Sequence, residues 1–208
     1  MVGDELQQIK QAARARARHI LSKLNPKRRG RAALDASRAL RNSSIWTTCD
    51  CLLAYMALDT ELSCAPVIRL ALNDNKKVFT PKMLAGKIVF FRIFSNGDSF
   101  VRGPFGIREP VTRGGESEMW EPGKESSLVL TPGLLFDEEG GRLGRGEGFF
   151  DRFILGSRLG ESSFAVTKPL FIGYAYDEQI VKRVPMGSRD ERLDGVLSDR
   201  RFLRYPSR

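Results

Sequence analysis

The sequence predicts an α/β protein, a three-layer sheet with flanking helices, which begins with N-terminal helices. From residue 51 onward, short apolar segments typical of strands alternate with segments of helical periodicity, and this alternation is typical of an α/β sheet. Before them, an apolar stripe with helical spacing indicates the N-terminal helices. At 208 residues, with 41% hydrophobic and 28% charged residues, the chain is long enough for a substantial core. We expect a single domain, 1–208, with a basic helical segment, 1–42, packed on it.

The N-terminal segment is predicted to form two helices. Asp4 can cap the first, which is expected to run to about Leu24. Its predicted apolar stripe comprises Leu6, Ile9, Ala13, Ala17, Ile20 and Leu21. Pro26 interrupts this helix, and a second is predicted over residues 28–41.

Positive charge is concentrated in these two helices. The net charge of the chain is +9, and the first 41 residues alone carry +8, from 11 Lys and Arg against three acids. Capture of an anion would therefore involve this segment, and nucleic acid, ATP and a polyglutamylated substrate are candidate anions. Lys10 and Arg14 are one helical turn apart on the same face, where they could contact the phosphates of one nucleotide or form a solvated basic face.

The later elements are predicted from apolar runs. Strands are expected at 51–56, 77–79, 87–94, 128–130, 170–174 and near Val196, with helices at 64–72 and 149–159. Residues 95–126, which contain Asn96-Gly97 and Gly114-Gly115, are expected to form a long ordered loop with one β-hairpin. No internal repeat is visible. No apolar stretch approaches the roughly 20 residues of a membrane span, and we expect a soluble, cytoplasmic protein.

Cysteine and histidine chemistry is disfavoured. Cys49, Cys51 and Cys64 form an odd set without Cys-x-x-Cys spacing, and the first two are expected to be buried as small hydrophobes. The single histidine, His19, lies on the basic helix, where nothing indicates a Ser-His-Asp or Cys-His site. Phosphate and carboxylate chemistry is therefore favoured.

The glycine-rich segment GRGEG, residues 144–148, is the strongest candidate site. Its glycines allow positive φ angles that bring backbone N–H groups close to an anion. Arg142 and Arg145 add planar donors suited to phosphate. The helix predicted from residue 149 would aim its positive N-terminus at the same place. The spacing is neither a dinucleotide fingerprint nor a P-loop, and a purely geometric strand-to-helix turn is the alternative.

Three acids lie where connections leave predicted strands. Asp151, in the first turn of the helix after the glycines, could hold Mg²⁺ against phosphates. Glu61 follows the strand at 51–56. Asp190 lies in the polar segment GSRDERLD, where it could contact a metal or simply be solvated. In open α/β sheets, ligands bind beyond the carboxyl ends of strands, so these acids are site candidates.

Five motifs occur together in the chain. They are Lys10-x-x-x-Arg14, YMALDTEL at 55–62, PFGIREP at 104–110, LTPGLLFDEEGGRLGRGEGFFDRF at 130–153, and VPMGSRDERLDGVLSD at 184–199. In this combination and order they resemble the 5-formyltetrahydrofolate cyclo-ligase family, also called 5,10-methenyltetrahydrofolate synthetases. The resemblance covers most of the chain.

The resemblance implies a fold similar to ribose-phosphate isomerases and CoA transferases. It also implies cyclisation of 5-formyltetrahydrofolate to 5,10-methenyltetrahydrofolate with ATP and Mg²⁺, releasing ADP and phosphate. Members of the family are thought to phosphorylate the formyl oxygen before N10 closes the ring. Such a reaction requires mainly positioning and charge neutralisation, so no histidine or activated cysteine is needed.

The resemblance also implies the site residues. ATP would contact Lys10, Arg14, Arg142, Leu143, Gly144, Arg145, Gly146, Glu147, Gly148, Phe149 and Phe150. Mg²⁺ would bind Asp151 and Asp190. The folate would contact Met56, Glu61, Arg145 and Phe149. Arg145 and Asp151 are the expected catalytic residues, with Arg145 nearest the transferred phosphoryl group, while Glu61 is expected to orient the folate.

The chain departs from the family pattern at two places. Phe149-Phe150 stand where the family usually has Tyr-Tyr, which removes two hydroxyls, and Glu147 stands where many relatives have Lys or Gly. A carboxylate at that position repels phosphate unless it turns outward or meets a cation. We expect retuned or weaker nucleotide binding with the activity retained.

Two other functions are compatible with parts of the sequence. An RNA-binding module would explain the basic N-terminal helices, although no aromatic-rich basic sheet motif accompanies them. A sugar-phosphate isomerase or CoA transferase would keep the fold, but neither chemistry needs ATP. We expect a monomer with a small-molecule folate partner, with or without a polyglutamate tail, and with no nucleic acid or membrane partner.

Overall fold

The computed structural model describes residues 2–95, 97–112, 117–160 and 167–205. The helices are α1 (Val2–Ser22), α2 (Pro26–Arg41), α3 (Ser44–Thr48), α4 (Ala65–Asn73) and α5 (Phe149–Leu159). The strands are β1 (Cys51–Leu53), β2 (Lys77–Leu84), β3 (Lys87–Ile93), β4 (Phe100–Arg102), β5 (Arg108–Pro110), β6 (Ser127–Thr131), β7 (Leu135–Asp137), β8 (Arg142–Leu143), β9 (Leu170–Ala175), β10 (Ile180–Val181), β11 (Gly195–Ser198) and β12 (Phe202–Arg204). Short 3₁₀ turns cover Pro104–Gly106 and Asp177–Gln179. In this part of the chain, no helix is long and apolar enough to cross a membrane.

A seven-stranded sheet in the order β3-β2-β1-β6-β9-β11-β12 forms the centre of the fold. Its five inner strands are parallel, and β3 and β12 pair antiparallel at the two edges. A three-stranded sheet, β10-β7-β8, and the hairpin β4-β5 lie outside it. The predicted α/β class, with a central sheet and flanking helices, is confirmed.

Alternate side chains of the inner strands enter two separate cores. Leu52 and Leu128 pack in a core with residues of α1 to α4. Leu53 and Val129, one position further along the same strands, pack in a second core with Ile154 of α5. Successive strand residues point to opposite faces, so helices α1 to α4 cover one face of the sheet and α5 covers the other.

The start of the chain corrects one detail of the prediction. Helix α1 begins at Val2, so Asp4 lies in its first turn and is not the cap. Ala17 and Leu21 are buried as predicted, whereas Ile9 is 50% exposed. The second helix begins at Pro26, two residues earlier than predicted, because Asn25 caps it through a 2.8 Å hydrogen bond from Arg28 N to its Oδ1.

Strand β2 is longer than predicted and contains a proline. Predicted at 77–79, it continues to Leu84, and Pro81 pairs with Phe90 of β3. Beyond Phe79 the strand has left β1 and has a neighbour on one side only. Proline has no backbone N–H group, and it is tolerated at a position where no second strand requires that donor. Conversely, β1 ends at Leu53, so the strand predicted over 51–56 is three residues long.

Several short elements were not predicted. Helix α3 and strands β7, β8, β10 and β12 each have five residues or fewer, too few for a periodic pattern to emerge. The hairpin expected within 95–126 is present as β4-β5. Within that predicted loop, Asn96 and the Gly114-Gly115 pair lie outside the described residues.

Candidate active site

A cleft of about 340 Å³ lies where the parallel strands end. Tyr55 and Met56, just after β1, and Pro132 and Gly133, just after β6, form part of its lining. The glycine loop, residues 144–148, and the two hairpins β2-β3 and β4-β5 contribute the remaining walls. This is the expected position for a ligand in an open α/β sheet. Of the predicted site residues, all of which are described, Lys10 alone does not line the cleft.

The glycine loop joins β8 directly to α5. Gly146 has φ +125°, and Gly148, the residue before the helix, has φ +68°. A side chain is strained in this region of backbone space, which explains glycine at both positions. The helix begins at Phe149, as predicted, so its first N–H groups face the loop. Where the loop begins, a Cβ on Gly144 would lie 3.0 Å from Nη1 of Arg142.

Arg142 forms an ion pair with Asp151. Its side chain is 4% exposed, and Nη2 donates to Oδ1 of Asp151 at 2.7 Å. Nη1 lies 3.4 Å from the Pro132 carbonyl, and Nε has no partner among the described residues. The guanidinium lies 5.9 Å from the centre of the Phe150 ring. The sequence predicted Arg142 and Asp151 as separate ligands of nucleotide and metal, whereas the structure joins them in one buried ion pair.

A second ion pair connects α1 to the cleft. Lys10 is buried and forms a salt bridge with Asp190, whose Oδ2 also accepts the Gly187 N–H at 2.6 Å. Arg14, one turn later, donates from Nε to the Gly144 carbonyl at 2.9 Å. The solvated basic face considered for Lys10 and Arg14 is therefore wrong for Lys10. Both side chains instead hold loops that line the cleft.

Asp151 and Asp190 are connected through the backbone. The N–H of Glu191 donates to Oδ1 of Asp151 at 3.1 Å, which places the residue after Asp190 against Asp151. From the described residues, the hydrogen bonds to Asp151 reach Oδ1 and those to Asp190 reach Oδ2, so each carboxylate has a second oxygen that accepts none of these bonds. Within the described residues, no group of three or more His, Cys, Asp or Glu could hold a metal ion. Mg²⁺ commonly uses one or two carboxylates together with water and phosphate, and this pair fits that pattern.

Arg145 and Glu61 connect opposite sides of the cleft. Arg145 Nε lies 3.0 Å from Glu61 Oε1, and its Nη2 lies 3.0 Å from Thr60 Oγ1. The second oxygen of Glu61 accepts the Leu58 N–H at 2.9 Å. The arginine side chain is 37% exposed and the glutamate 10%. The glycine loop is thereby joined to the segment that follows β1.

The remaining wall is mainly apolar and was largely missed from the sequence. It comprises Met56, Leu58, Pro81, Met83, Ile88, Phe105, Ile107 and Phe149. The rings of Phe105 and Phe149 are 5.7 Å apart, and Phe105 adopts φ +60°, unusual for an aromatic residue. The signal that could have located this wall was PFGIREP, in which Pro104 and Gly106 mark a turn and the apolar Phe105 and Ile107 line the cleft.

Glu109 fixes the β4-β5 hairpin against β2. It is 5% exposed, and its Oε1 accepts the Met83 N–H at 3.2 Å. A Cβ on Gly103 would lie 2.2 Å from the Glu109 carboxyl carbon, so glycine leaves room for this carboxylate. The hairpin is therefore held beside the cleft as one of its walls.

Comparison with known proteins decides the family. A model of the 5-formyltetrahydrofolate cyclo-ligase family matches residues 6–199, nearly the whole chain. The chain belongs to this family. The resemblance inferred from the five motifs is thereby confirmed, and the protein is a ligase of folate one-carbon metabolism.

Individual relatives agree with this assignment. A probable 5-formyltetrahydrofolate cyclo-ligase of Schizosaccharomyces pombe is 29% identical over 168 residues, 76% of this chain and 79% of the relative. The 5-formyltetrahydrofolate cyclo-ligase of Escherichia coli is 29% identical over 147 residues, 69% and 75% of the two chains. The NMR structure of Aquifex aeolicus 5,10-methenyltetrahydrofolate synthetase superposes with a TM-score of 0.77 at 26% identity, covering 94% of this chain and 92% of that one.

The three residues of this cyclo-ligase that depart from the family pattern, Phe149, Phe150 and Glu147, make specific contacts. Phe149 lies between Phe105 and the guanidinium of Arg152, which is 4.9 Å from its ring centre. Phe150 lies beside Arg142. Each ring therefore offers an apolar surface and contacts the guanidinium group of an arginine. Glu147 is exposed, and its carbonyl accepts Arg152 Nη1 at 3.0 Å.

The cysteines of the cyclo-ligase lie in its interior. All three are buried and free, as expected for Cys49 and Cys51. Burial raises the pKa of the Cys51 thiol to about 11, and burial also raises the pKa of the Cys64 thiol well above its ordinary value. Both stay protonated at neutral pH, so nucleophilic thiol chemistry is disfavoured.

Proposed function

We propose that this cyclo-ligase uses ATP and Mg²⁺ in the described cleft to convert 5-formyltetrahydrofolate into 5,10-methenyltetrahydrofolate. The single observation that carries the proposal is the composition of the cleft. A glycine loop at a helix N-terminus and two connected carboxylates lie beside an apolar wall. The first two suit a nucleotide with its metal, and the third suits the rings of a folate.

The phosphates of ATP would bind at the glycine loop. The N-terminus of α5 supplies unpaired N–H groups and a partial positive charge. Arg14 would contribute charge from α1, and Arg145 is the side chain proposed to meet the transferred phosphoryl group. Because Arg145 is paired with Glu61, phosphate would share or replace that contact. Lys10 would act by holding Asp190 in place.

Mg²⁺ would be held by Asp151 and Asp190, each through the oxygen that accepts no hydrogen bond from the described residues. When bound, the ion would neutralise charge on the phosphates during transfer. Arg142 and Lys10 would keep the two carboxylates oriented, since each forms an ion pair with one of them.

The folate would lie along the apolar wall. Met56 and Phe149 line the cleft there, and Phe149 with Phe105 would offer a surface for a flat ring. Glu61, with Arg145 fixed on one oxygen, would orient the polar edge of the substrate.

The proposed reaction transfers the γ-phosphoryl group and then closes a ring. The formyl oxygen attacks the γ-phosphorus, and the bond to ADP breaks. N10 attacks the formyl carbon, loses its proton, and phosphate departs with the former formyl oxygen. These steps require positioning and charge neutralisation, which the arginines and backbone N–H groups provide.

The near-ultraviolet absorbance of the methenyl product tests this proposal. The wild type should form product from 5-formyltetrahydrofolate only when both ATP and Mg²⁺ are present, releasing one ADP per product. Arg145→Ala and Asp151→Ala should each lose most of the rate. Arg31→Ala, which removes an exposed ion pair on α2, is the control and should keep it. Absence of product from folded wild-type protein would refute the proposal.

A further inference from the structure

Among the described residues, the mostly apolar side of the cleft carries one cation. Lys82 lines the cleft from β2, between Pro81 and Met83. Its Nζ donates to Thr112 Oγ1 at 2.8 Å. Among the described residues, no carboxylate lies within 4.0 Å of this ammonium group. An ammonium group has three donors, and the hydroxyl uses only one of them.

The other cleft cations are placed differently. Arg142 and Arg145 are paired with Asp151 and Glu61. Arg14 contacts the carbonyl of Gly144 in the glycine loop, next to the proposed phosphate site. Lys82 is therefore the cleft cation that lies on the apolar wall and has no acidic partner in the described part of the chain.

We propose that Lys82, with the Thr112 hydroxyl, is the binding subsite for a carboxylate of the glutamate tail of the folate. This inference rests on the proposed function, in which the ring system lies along the apolar wall. The two proposed substrates carry different anions. ATP carries phosphates, and the folate carries the carboxylates of its glutamate. Lys82 matches the second, because a hydroxyl and an ammonium together bind a carboxylate through charge-assisted hydrogen bonds. The half-buried position of Lys82 reduces solvent screening of that contact.

Equilibrium binding of two ligands tests the subsite. The ligands are 5-formyltetrahydrofolate and the primary amide of 5-formyltetrahydropteroic acid, which has the same rings but neither the glutamate nor any carboxylate. The wild type should bind the first about tenfold more tightly than the second. Lys82→Ala and Lys82→Gln should remove that preference by weakening only the glutamate-bearing ligand. Lys82→Arg should restore most of it, and Thr112→Val should lose part of it.

Controls separate this effect from misfolding and from ATP binding. Lys87→Ala removes an exposed lysine on the other strand of the same hairpin and should leave the preference intact. The KM for ATP should be unchanged in Lys82→Ala. Equal weakening of both ligands by Lys82→Ala and Lys82→Gln, or a rise in the KM for ATP, would overturn the subsite. Failure of the proposed function is distinguishable, because the wild type would then form no product while ligand binding still reports on Lys82.

Discussion

Asp151 accepts a 2.7 Å hydrogen bond from Arg142 across the glycine loop, and the arginine side chain is almost fully buried. The pair spans the loop, since β8 carries the arginine and the first turn of α5 carries the aspartate. The geometry of the glycine loop and the position of a proposed metal ligand therefore depend on the same contact.

Removing the arginine should destabilise the protein. Arg142→Ala leaves a carboxylate without its buried cation, and breaking such a pair typically costs about 3 kcal/mol or more. We expect the urea midpoint of unfolding to fall accordingly. Arg31→Ala, at a side chain 73% exposed, should change the midpoint little. Equal midpoints for the wild type and Arg142→Ala would contradict the structural role of the pair.

A conservative change of the aspartate should separate stability from metal use. In Asp151→Asn the side-chain oxygen can still accept from Arg142 and from the Glu191 N–H, so the loss in unfolding free energy should be smaller than for Arg142→Ala. The lost charge should raise the Mg²⁺ concentration for half-maximal activity by about tenfold or more. Asp35→Asn, on the outer face of α2, is the control in the same Mg²⁺ titration. An unchanged Mg²⁺ requirement would remove Asp151 from the metal site.

Two glycines should respond oppositely to alanine. Gly148 has φ +68°, and a Cβ there would lie 3.1 Å from Arg152 Nη1. Gly148→Ala should lower the unfolding free energy by about 1–2 kcal/mol and raise the KM for ATP. Gly156 lies inside α5 with no atom within 4 Å of an added Cβ. Gly156→Ala should instead stabilise by about 0.5–1 kcal/mol. Denaturant titration of both variants measures the two changes in unfolding free energy. Changes of the same sign would contradict the loop geometry.

Breaking the ion pair across the cleft should affect binding more than stability. Glu61→Gln loses the charge and keeps one acceptor oxygen, which can serve either Arg145 or the Leu58 N–H. Because more than a third of the Arg145 side chain is exposed, solvent screening keeps the stability change small. We expect the KM for the folate to rise about tenfold with the melting temperature nearly unchanged. A large fall in melting temperature would make Glu61 a structural residue.

The thiol of Cys51 should make stability depend on alkaline pH. In the unfolded chain it ionises near its ordinary pKa of 9.0, whereas burial in the fold raises the pKa to about 11. The folded state keeps a proton that the unfolded state loses, so the contribution is complete below pH 9 and is lost as pH rises to 11. Cys51→Ala should show a shallower decline of unfolding free energy over this window. Parallel curves for the two proteins would contradict the raised pKa.

The sequence predicted the elements whose signal is local. The apolar runs of β6 and β9 and the helical periodicity of α2 and α5 are properties of consecutive residues, and all four elements lie close to the predicted bounds. The glycine loop was also predictable, because left-handed backbone angles at Gly146 and Gly148 restrict the choice of residue. Short strands such as β8 depend on a partner strand and carry no such signal.

The sequence by itself determined the α/β class, the family motifs and most of the residues that line the cleft around the glycine loop. Only the tertiary structure decided how those residues are used. Lys10 meets Asp190, and Arg145 meets Glu61, across separations of 180 and 84 positions. Charge pairing acts over a few ångströms in space, whereas a motif records neighbours along the chain. Residues that the sequence predicted as independent ligands therefore form ion pairs with each other, because the sheet brings their loops to one edge.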